Sequence, residues 1–279
     1  MSKKDLHKVI LFFLLVAASF SVWSSALLVA DSPDHTYYVY VCAESDDEVA
    51  VVRYGPEGAE VVKTIVVGSF PAETEGPHGI QVAPDGHHWY VSMSHGFPFG
   101  SVHKYATATD QWLGDVSLGM YPATLDVASS TGLLYVVNFD LHGPLQPSTI
   151  SVVETETMIE VSRIESGVRP HGGRLSRDES MFYAVNVMGY ELVEIDATGF
   201  NVKRRLTLGD GVQPTWVTKP TVGGRVFVTG NNAGNQLLGV TYPSMDAIEK
   251  TYDALRADAN YQAALADFNI NLRAIVRVL

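Results

Sequence analysis

The stretch Pro77-His78-Gly79-Ile80-Gln81-Val82-Ala83-Pro84-Asp85-Gly86-His87-His88-Trp89-Tyr90-Val91-Ser92-Met93-Ser94 is one copy of a pattern that recurs along the chain. Its opening Pro77 is followed by Pro122, Pro170 and Pro214, at spacings of 45, 48 and 44 residues. A second landmark keeps step, since Tyr90-Val91, Tyr135-Val136, Tyr183-Ala184 and Phe227-Val228 each lie 13 residues after a proline. Two landmarks in register at a period of 40–50 residues define a repeat array.

Each copy reads as four short β segments joined by tight turns. In the copy opened by Pro77 these are His78–Ala83, Trp89–Ser94, Ser101–Ala106 and Trp112–Leu118. Pro84-Asp85-Gly86 has the chemistry of a β-turn, with proline at its second position and glycine closing it. The next copies predict Leu125–Ala128, Leu133–Asn138, Thr149–Glu154 and Glu160–Ile164, then Gly173–Ser176, Met181–Asn186, Glu191–Asp196 and Lys203–Leu208. Upstream, Tyr37–Cys42, Glu48–Tyr54 and Ala59–Val67 supply the last three strands of a blade; downstream, Trp216–Thr218, Arg225–Gly230 and Gln236–Val240 supply the first three of another. The fold class expected is therefore all-β: a β-propeller of four-stranded blades, three complete and two partial, over residues 37–240.

Tyr135-Val136-Val137-Asn138, the Pro77–Gly86 segment and Leu192-Val193-Glu194-Ile195-Asp196 give the chain a family likeness. It resembles the exported YVTN-repeat, YncE-like propellers, and in repeat style it is similar to lactonase propellers and to the haem d1 propeller of nitrite reductase. The resemblance implies about seven blades and a shared scaffold, not a shared chemistry.

Outside the repeats, Lys3, Lys4 and Lys8, the apolar run Val9–Val22 and Ser24-Ser25-Ala26 read as a cleaved signal peptide over residues 1–26, with a lead-in at 27–36. The expected location is secreted or periplasmic, with no membrane span in the mature chain. After Val240 the pattern stops: Ser244 can cap a helix carrying Met245, Ile248, Tyr252 and Leu255, and Leu272–Leu279 reads as a strand. Residues 241–279 thus form a helix–strand extension. Either its strand closes a five-blade ring, or the chain is a truncated or spliced propeller with a borrowed end.

A formal net charge of −12 argues against a nucleic-acid partner. The one cysteine of the chain, Cys42, falls in an apolar strand and is expected to be a buried, inert thiol. Asp85, Asp178 and Asp196 are expected to stabilise turns, and Trp89, Trp112 and Trp216 to pack between blades.

The repeat also maps the histidines. In a propeller the loops between blades and those between strands two and three share a face, which places His78, His171, His95 and His142 together. His78 and His171 open innermost strands and should lie near the central channel. They are the candidate ligands for a divalent metal, and with His95, His142, Arg169 and Arg174 they form the candidate ligand-binding set. A histidine opening a strand can equally bond the neighbouring blade's backbone carbonyl. The chain carries no His-Glu-x-x-His, Cys-x-x-Cys-His or Gly-x-Ser-x-Gly motif.

The resulting expectation is an exported propeller acting as a binding or scaffold module for a small molecule or protein at the histidine face. Two rivals are a metal-assisted lactonase or esterase, which would want carboxylates beside the metal, and a redox propeller holding haem d1, with Arg169 and Arg174 for the cofactor's carboxylates.

Overall fold

A computed structural model describes residues 35–70, 72–95, 99–218 and 227–230. The signal peptide, all but the end of the lead-in, the strand Gln236–Val240 and the extension 241–279 lie outside the described residues. Among the described residues every regular element is a strand, and no helix is long and apolar enough to cross a membrane.

Among the described residues seventeen strands form five sheets. The first holds β1 (Tyr37–Ala43), β2 (Glu48–Gly55) and β3 (Gly58–Val66) in that order. Three full blades follow: β4 (Pro77–Val82), β5 (His88–Met93), β6 (Ser101–Ala106) and β7 (Gln111–Ser117); β8 (Pro122–Val127), β9 (Leu133–Asn138), β10 (Pro147–Glu154) and β11 (Ile159–Val168); β12 (Pro170–Leu175), β13 (Met181–Asn186), β14 (Glu191–Asp196) and β15 (Asn201–Thr207). The last sheet pairs β16 (Pro214–Thr218) with β17 (Phe227–Gly230). This is the expected β-propeller of four-stranded blades.

The chain divides into two compact units. One comprises Met1–Val39 and Val52–Val61, and the other Tyr40–Val51 and Val62–Leu279. Within the first, Arg53 pairs with Glu57 and Glu60 at 3.4 and 2.8 Å, an exposed arrangement worth little to stability. The second carries the complete blades and everything described below.

Burial across a blade explains its strand order. The innermost strand β8 is buried at every position, whereas the outermost β11 alternates exposed and covered residues along its first half. An inner strand has blades on both sides; an outer one fans away from its neighbours. Apolar side chains fill the spaces between. Tyr135, Val137, Ile150 and Val152 meet Phe182, Ala184, Val193 and Ile195 between the second and third full blades, with Tyr135 stacked on Phe182 at 5.1 Å. Val49, Val51, Ile65 and Val67 of the first sheet likewise meet Trp89, Val91, Met93 and Tyr105.

Every innermost strand begins at its repeat proline, earlier than sequence alone suggests, and each carries a register shift just after it: Pro77/Ile80, Pro122/Leu125, Pro170/Gly173 and Pro214/Trp216. Proline is tolerated at a strand's first residue because it has no N–H for the ladder, and the bulge frees the next residues to turn sideways. Those residues then tie blades together. Thr124 Oγ1 donates to the His171 carbonyl at 2.6 Å and Ser92 Oγ to the Ala123 carbonyl at 3.1 Å. Glycine in Pro-His-Gly serves this close approach rather than a left-handed turn. A Cβ on Gly79 would overlap the Ala123 carbonyl oxygen, and one on Gly172 would lie 2.6 Å from that of Thr215.

The turn aspartates behave as expected, with Asp85, Asp178 and Asp196 accepting from the backbone N–H of His87, Ser180 and Thr198. Burial, then the Glu44 charge, pushes the partly buried Cys42 thiol up to about 12, which leaves it inert. Two tryptophans depart from expectation. Trp89 is fully buried and stacked on Tyr105 at 4.1 Å, but Trp112 and Trp216 are 53% and 42% exposed. Trp112 lies on an outermost strand, where the fanning of the blades leaves no neighbour to cover it.

Candidate ligand-binding site on the histidine face

Two kinds of position feed this face. The first is the residue just before each repeat proline. Gly76, Tyr121 and Arg169 all have positive φ, at 64°, 52° and 56°. The carbonyl of each accepts from the residue just past strand two of its blade: Ser94 to Gly76, Phe139 to Tyr121 and Val187 to Arg169, at 2.9, 2.7 and 2.8 Å. Left-handed backbone is costly for tyrosine and arginine, and such strain persists only where surrounding bonds over-determine it. The second is the exit of strand two, which supplies Glu44 after β1, His95 after β5 and His142 after β9.

All four candidate histidines come together, around a carboxylate. Glu44 Oε1 accepts from Tyr121 Oη at 2.7 Å and from His95 Nε2 at 2.8 Å, while Oε2 faces His78 Nδ1 at 3.2 Å. His95 Nδ1 lies 3.3 Å from His142 Nε2, and His78 Nε2 lies 3.3 Å from His171 Nε2. His171 Nδ1 in turn meets the Thr215 carbonyl at 3.1 Å. The result is a continuous chain: His142, His95, Glu44, His78, His171, Thr215. Tyr121 stands edge-on to His78, His95 and His142, and Phe139 and Trp216 stand edge-on to His171.

Acceptor chemistry fixes the tautomers. An ionised carboxylate and a carbonyl can only accept, so His78 Nδ1, His95 Nε2 and His171 Nδ1 are the donors. Glu44 is held ionised: burial pushes its pKa up, but donation from Tyr121, His95 and His78 outweighs this and the net shift is downward. His171 is kept neutral, burial above all, then the nearby His78 charge, lowering it to about 4. With Nδ1–H on the Thr215 carbonyl, neutral His171 therefore turns the lone pair of its Nε2 toward His78 Nε2. Tyr121 is pushed far up by burial and by its bond to Glu44, so it remains a donor.

The alternative structural role holds for one histidine of the pair. His171 bonds the carbonyl of the next innermost strand, whereas His78 bonds Glu44 and no neighbouring carbonyl. The arginines are placed differently. Arg169 donates to the Gly143 carbonyl at 2.6 Å and lies 3.9 Å from Asp140; Arg174 donates to the Gly173 and Leu125 carbonyls at 2.8 and 3.4 Å. Neither is bonded to an imidazole of the cluster, and the Nη1 of Arg169 has no hydrogen-bond partner. Glu44 and Tyr121 were not singled out from the sequence. Glu44 could have been found as the occupant of the loop slot that holds His95 and His142 in later blades.

Among the described residues no group of three or more His, Cys, Asp or Glu side chains is arranged to hold a metal ion. The facing nitrogens of His78 and His171 are the nearest approach to one. Their 3.3 Å separation matches the edge of a tetrahedron with bonds of about 2.0–2.1 Å. Each imidazole is also oriented through Nδ1, by a carboxylate in one case and a carbonyl in the other, the outer support that metal-binding histidines use.

Fold and site together define a β-propeller with a polar cluster at the blade-opening face. The chain is similar to hydrazine synthase of Kuenenia stuttgartiensis at 16% identity and TM-score 0.55, over 73% of this chain and 64% of that one. It is also similar to a functionally unknown protein from Desulfotomaculum acetoxidans, at 12% identity and TM-score 0.56, over 77% of this chain and 67% of that one. Likeness at such identities shows the scaffold only. A family described as Domain of unknown function (DUF6854) matches residues 220–278, past the last full blade. No curated protein matches.

Proposed function

We propose that this protein is an exported binding module of the YVTN-repeat type, whose ligand docks at the Glu44-centred histidine cluster. The supporting observation is the opposed pair His78 Nε2 and His171 Nε2, 3.3 Å apart. The buried His171 Nε2 lone pair needs a proton, a donor or a cation opposite it, since an unsatisfied buried acceptor costs about 1–3 kcal/mol. A divalent transition metal would be held by these two nitrogens, with water or the bound ligand completing its shell. The hydrolase rival gains nothing from this geometry, because Glu44 sits behind His78 rather than beside the nitrogen pair.

Titration of the metal-free full-length chain with Zn(II) tests the reading. About one equivalent should bind, at roughly micromolar affinity, and binding should be lost in His78→Gln and in His171→Gln. Failure of the parent chain to bind, or binding that survives both substitutions, removes it.

A further inference from the structure

A cavity that shares no lining residue with the histidine cluster lies against the outer half of the β4–β7 blade. Its volume is about 360 Å³, and its wall includes Phe70, Glu73, Glu75, Phe99, Trp112 and Asp115. That size suits a small organic molecule. Three carboxylates line it, with no lysine or arginine among the described lining residues, so its field selects cations. Phe70, Phe99 and Trp112 are 63%, 61% and 53% exposed; three large aromatic side chains left half-bare around one hollow form the kind of apolar surface that soluble proteins keep for binding. Aromatic faces carry negative quadrupoles, so they attract the same sign of ligand as the carboxylates do.

His103 supplies an independent observation. It lines the same cavity and is 6% exposed. Its ring bonds the Val67 backbone, while Nδ1 has no partner. Since a carbonyl only accepts, Nε2 is the donor and Nδ1 carries a buried lone pair. Burial also holds the ring neutral, its pKa lowered despite Asp115 and Glu75 nearby. Glu75 is fixed in place by the backbone N–H groups of Ser69 and Phe70. The wall thus offers carboxylates and π faces.

We infer that this cavity binds a small organic ammonium ion, a protonated amine whose charged head meets Asp115 and Glu73 and whose carbon body lies on Trp112, Phe70 and Phe99. A bare metal ion would have no use for the aromatic faces, and an anion would meet only repulsion.

Benzylammonium and its neutral analogue benzyl alcohol provide the test, titrated at pH 7.5 and low salt against the full-length chain and followed by calorimetry. Benzylammonium should bind saturably, and benzyl alcohol at least tenfold more weakly. Asp115→Asn and Trp112→Ala should each weaken benzylammonium about three- to thirty-fold, the range expected for a partly desolvated cation–π or ion-pair contact. Trp112 is half exposed and Asp115→Asn keeps its shape, and unchanged melting temperatures would show that both variants fold. Binding in His78→Gln should be unaffected, which separates this cavity from the histidine cluster. Equal affinity for the alcohol, undiminished affinity in the folded variants, or no saturable binding up to about 10 mM would each overturn the assignment.

Discussion

Tyr121 donates its hydroxyl to Glu44 over 2.7 Å from a backbone held at φ 52°. A residue that bears strain to present its ring is ordered by its surroundings, and the Phe139 N–H bonded to the Tyr121 carbonyl at 2.7 Å is part of that order. Tyr121→Phe keeps the ring and the backbone while removing one donor to the carboxylate. The expected loss of stability is about 1.5 kcal/mol, the low end for a hydrogen bond to a charged partner, because Glu44 is partly exposed. The Glu44 carboxyl should rise in pKa in the same variant, read by carboxyl carbon NMR. An unchanged titration would mean that Tyr121 does not hold Glu44.

Two acid-labile windows are expected, and they have different owners. His171 falls from its usual 6.5 to about 4 on folding, so the unfolded chain binds its proton first as pH drops. Its contribution is complete above about 6.5 and is lost between there and about 4, amounting to at most about 3 kcal/mol. Glu179 is depressed from 4.5 to about 2: burial pushes it up, but bonds from Ser129 and Ser130 more than reverse this. Its contribution is present above 4.5 and lost below, toward 2. Denaturant unfolding of chelator-treated protein from pH 7 to 3 should show a slope between pH 6.5 and 4 that His171→Gln flattens and Glu179→Gln leaves alone.

The glycines of the repeated Pro-His-Gly are expected to be intolerant for a steric reason. A methyl at Gly79 overlaps the Ala123 carbonyl, and one at Gly172 meets the Thr215 carbonyl and the Val217 nitrogen at 2.6 and 2.9 Å. All these obstacles are backbone on the neighbouring innermost strand, so the blades themselves must separate. Gly79→Ala and Gly172→Ala should each cost more than about 2 kcal/mol. Gly86→Ala, at φ 73° in open space, should cost only about 1 kcal/mol of left-handed strain. Comparable costs at all three sites would contradict the close-approach account.

Strand content and blade order were legible because proline and Tyr-Val recur in step, and periodicity survives local variation. The strand starts were less so: a bulge after each proline breaks the alternation through which a sequence announces its first strand residues. At the site, the repeat located His78, His95, His142 and His171 on one face, since topology converts slot into position. The same slot marks Glu44, but a glutamate there does not announce itself as the partner of histidines three sheets away; Tyr121 sits in a slot filled elsewhere by Gly76 and Arg169 and carries no such signal. Arg169 and Arg174 were drawn in by proximity to His171 along the chain. Sequence proximity says nothing of direction, and both guanidiniums turn to backbone carbonyls instead.

Asp110 closes the packing between the first sheet and the β4–β7 blade. Its Oδ1 accepts from Trp89 Nε1 at 3.1 Å and from Tyr40 Oη at 3.3 Å, and Oδ2 pairs with Lys63 at 2.8 Å. The ion pair is partly exposed on the lysine side and contributes at most about 1 kcal/mol, screened by salt. The indole N–H belongs to a fully buried residue, and leaving it without an acceptor costs about 1–3 kcal/mol. The second effect should dominate. Asp110→Asn, which keeps an acceptor oxygen in place, should therefore destabilise by about 1 kcal/mol, with the difference shrinking at high salt. Asp110→Ala should destabilise by about 2–4 kcal/mol, largely independent of salt. If the two variants unfold at the same denaturant midpoint, the indole bond carries nothing and the charge alone matters.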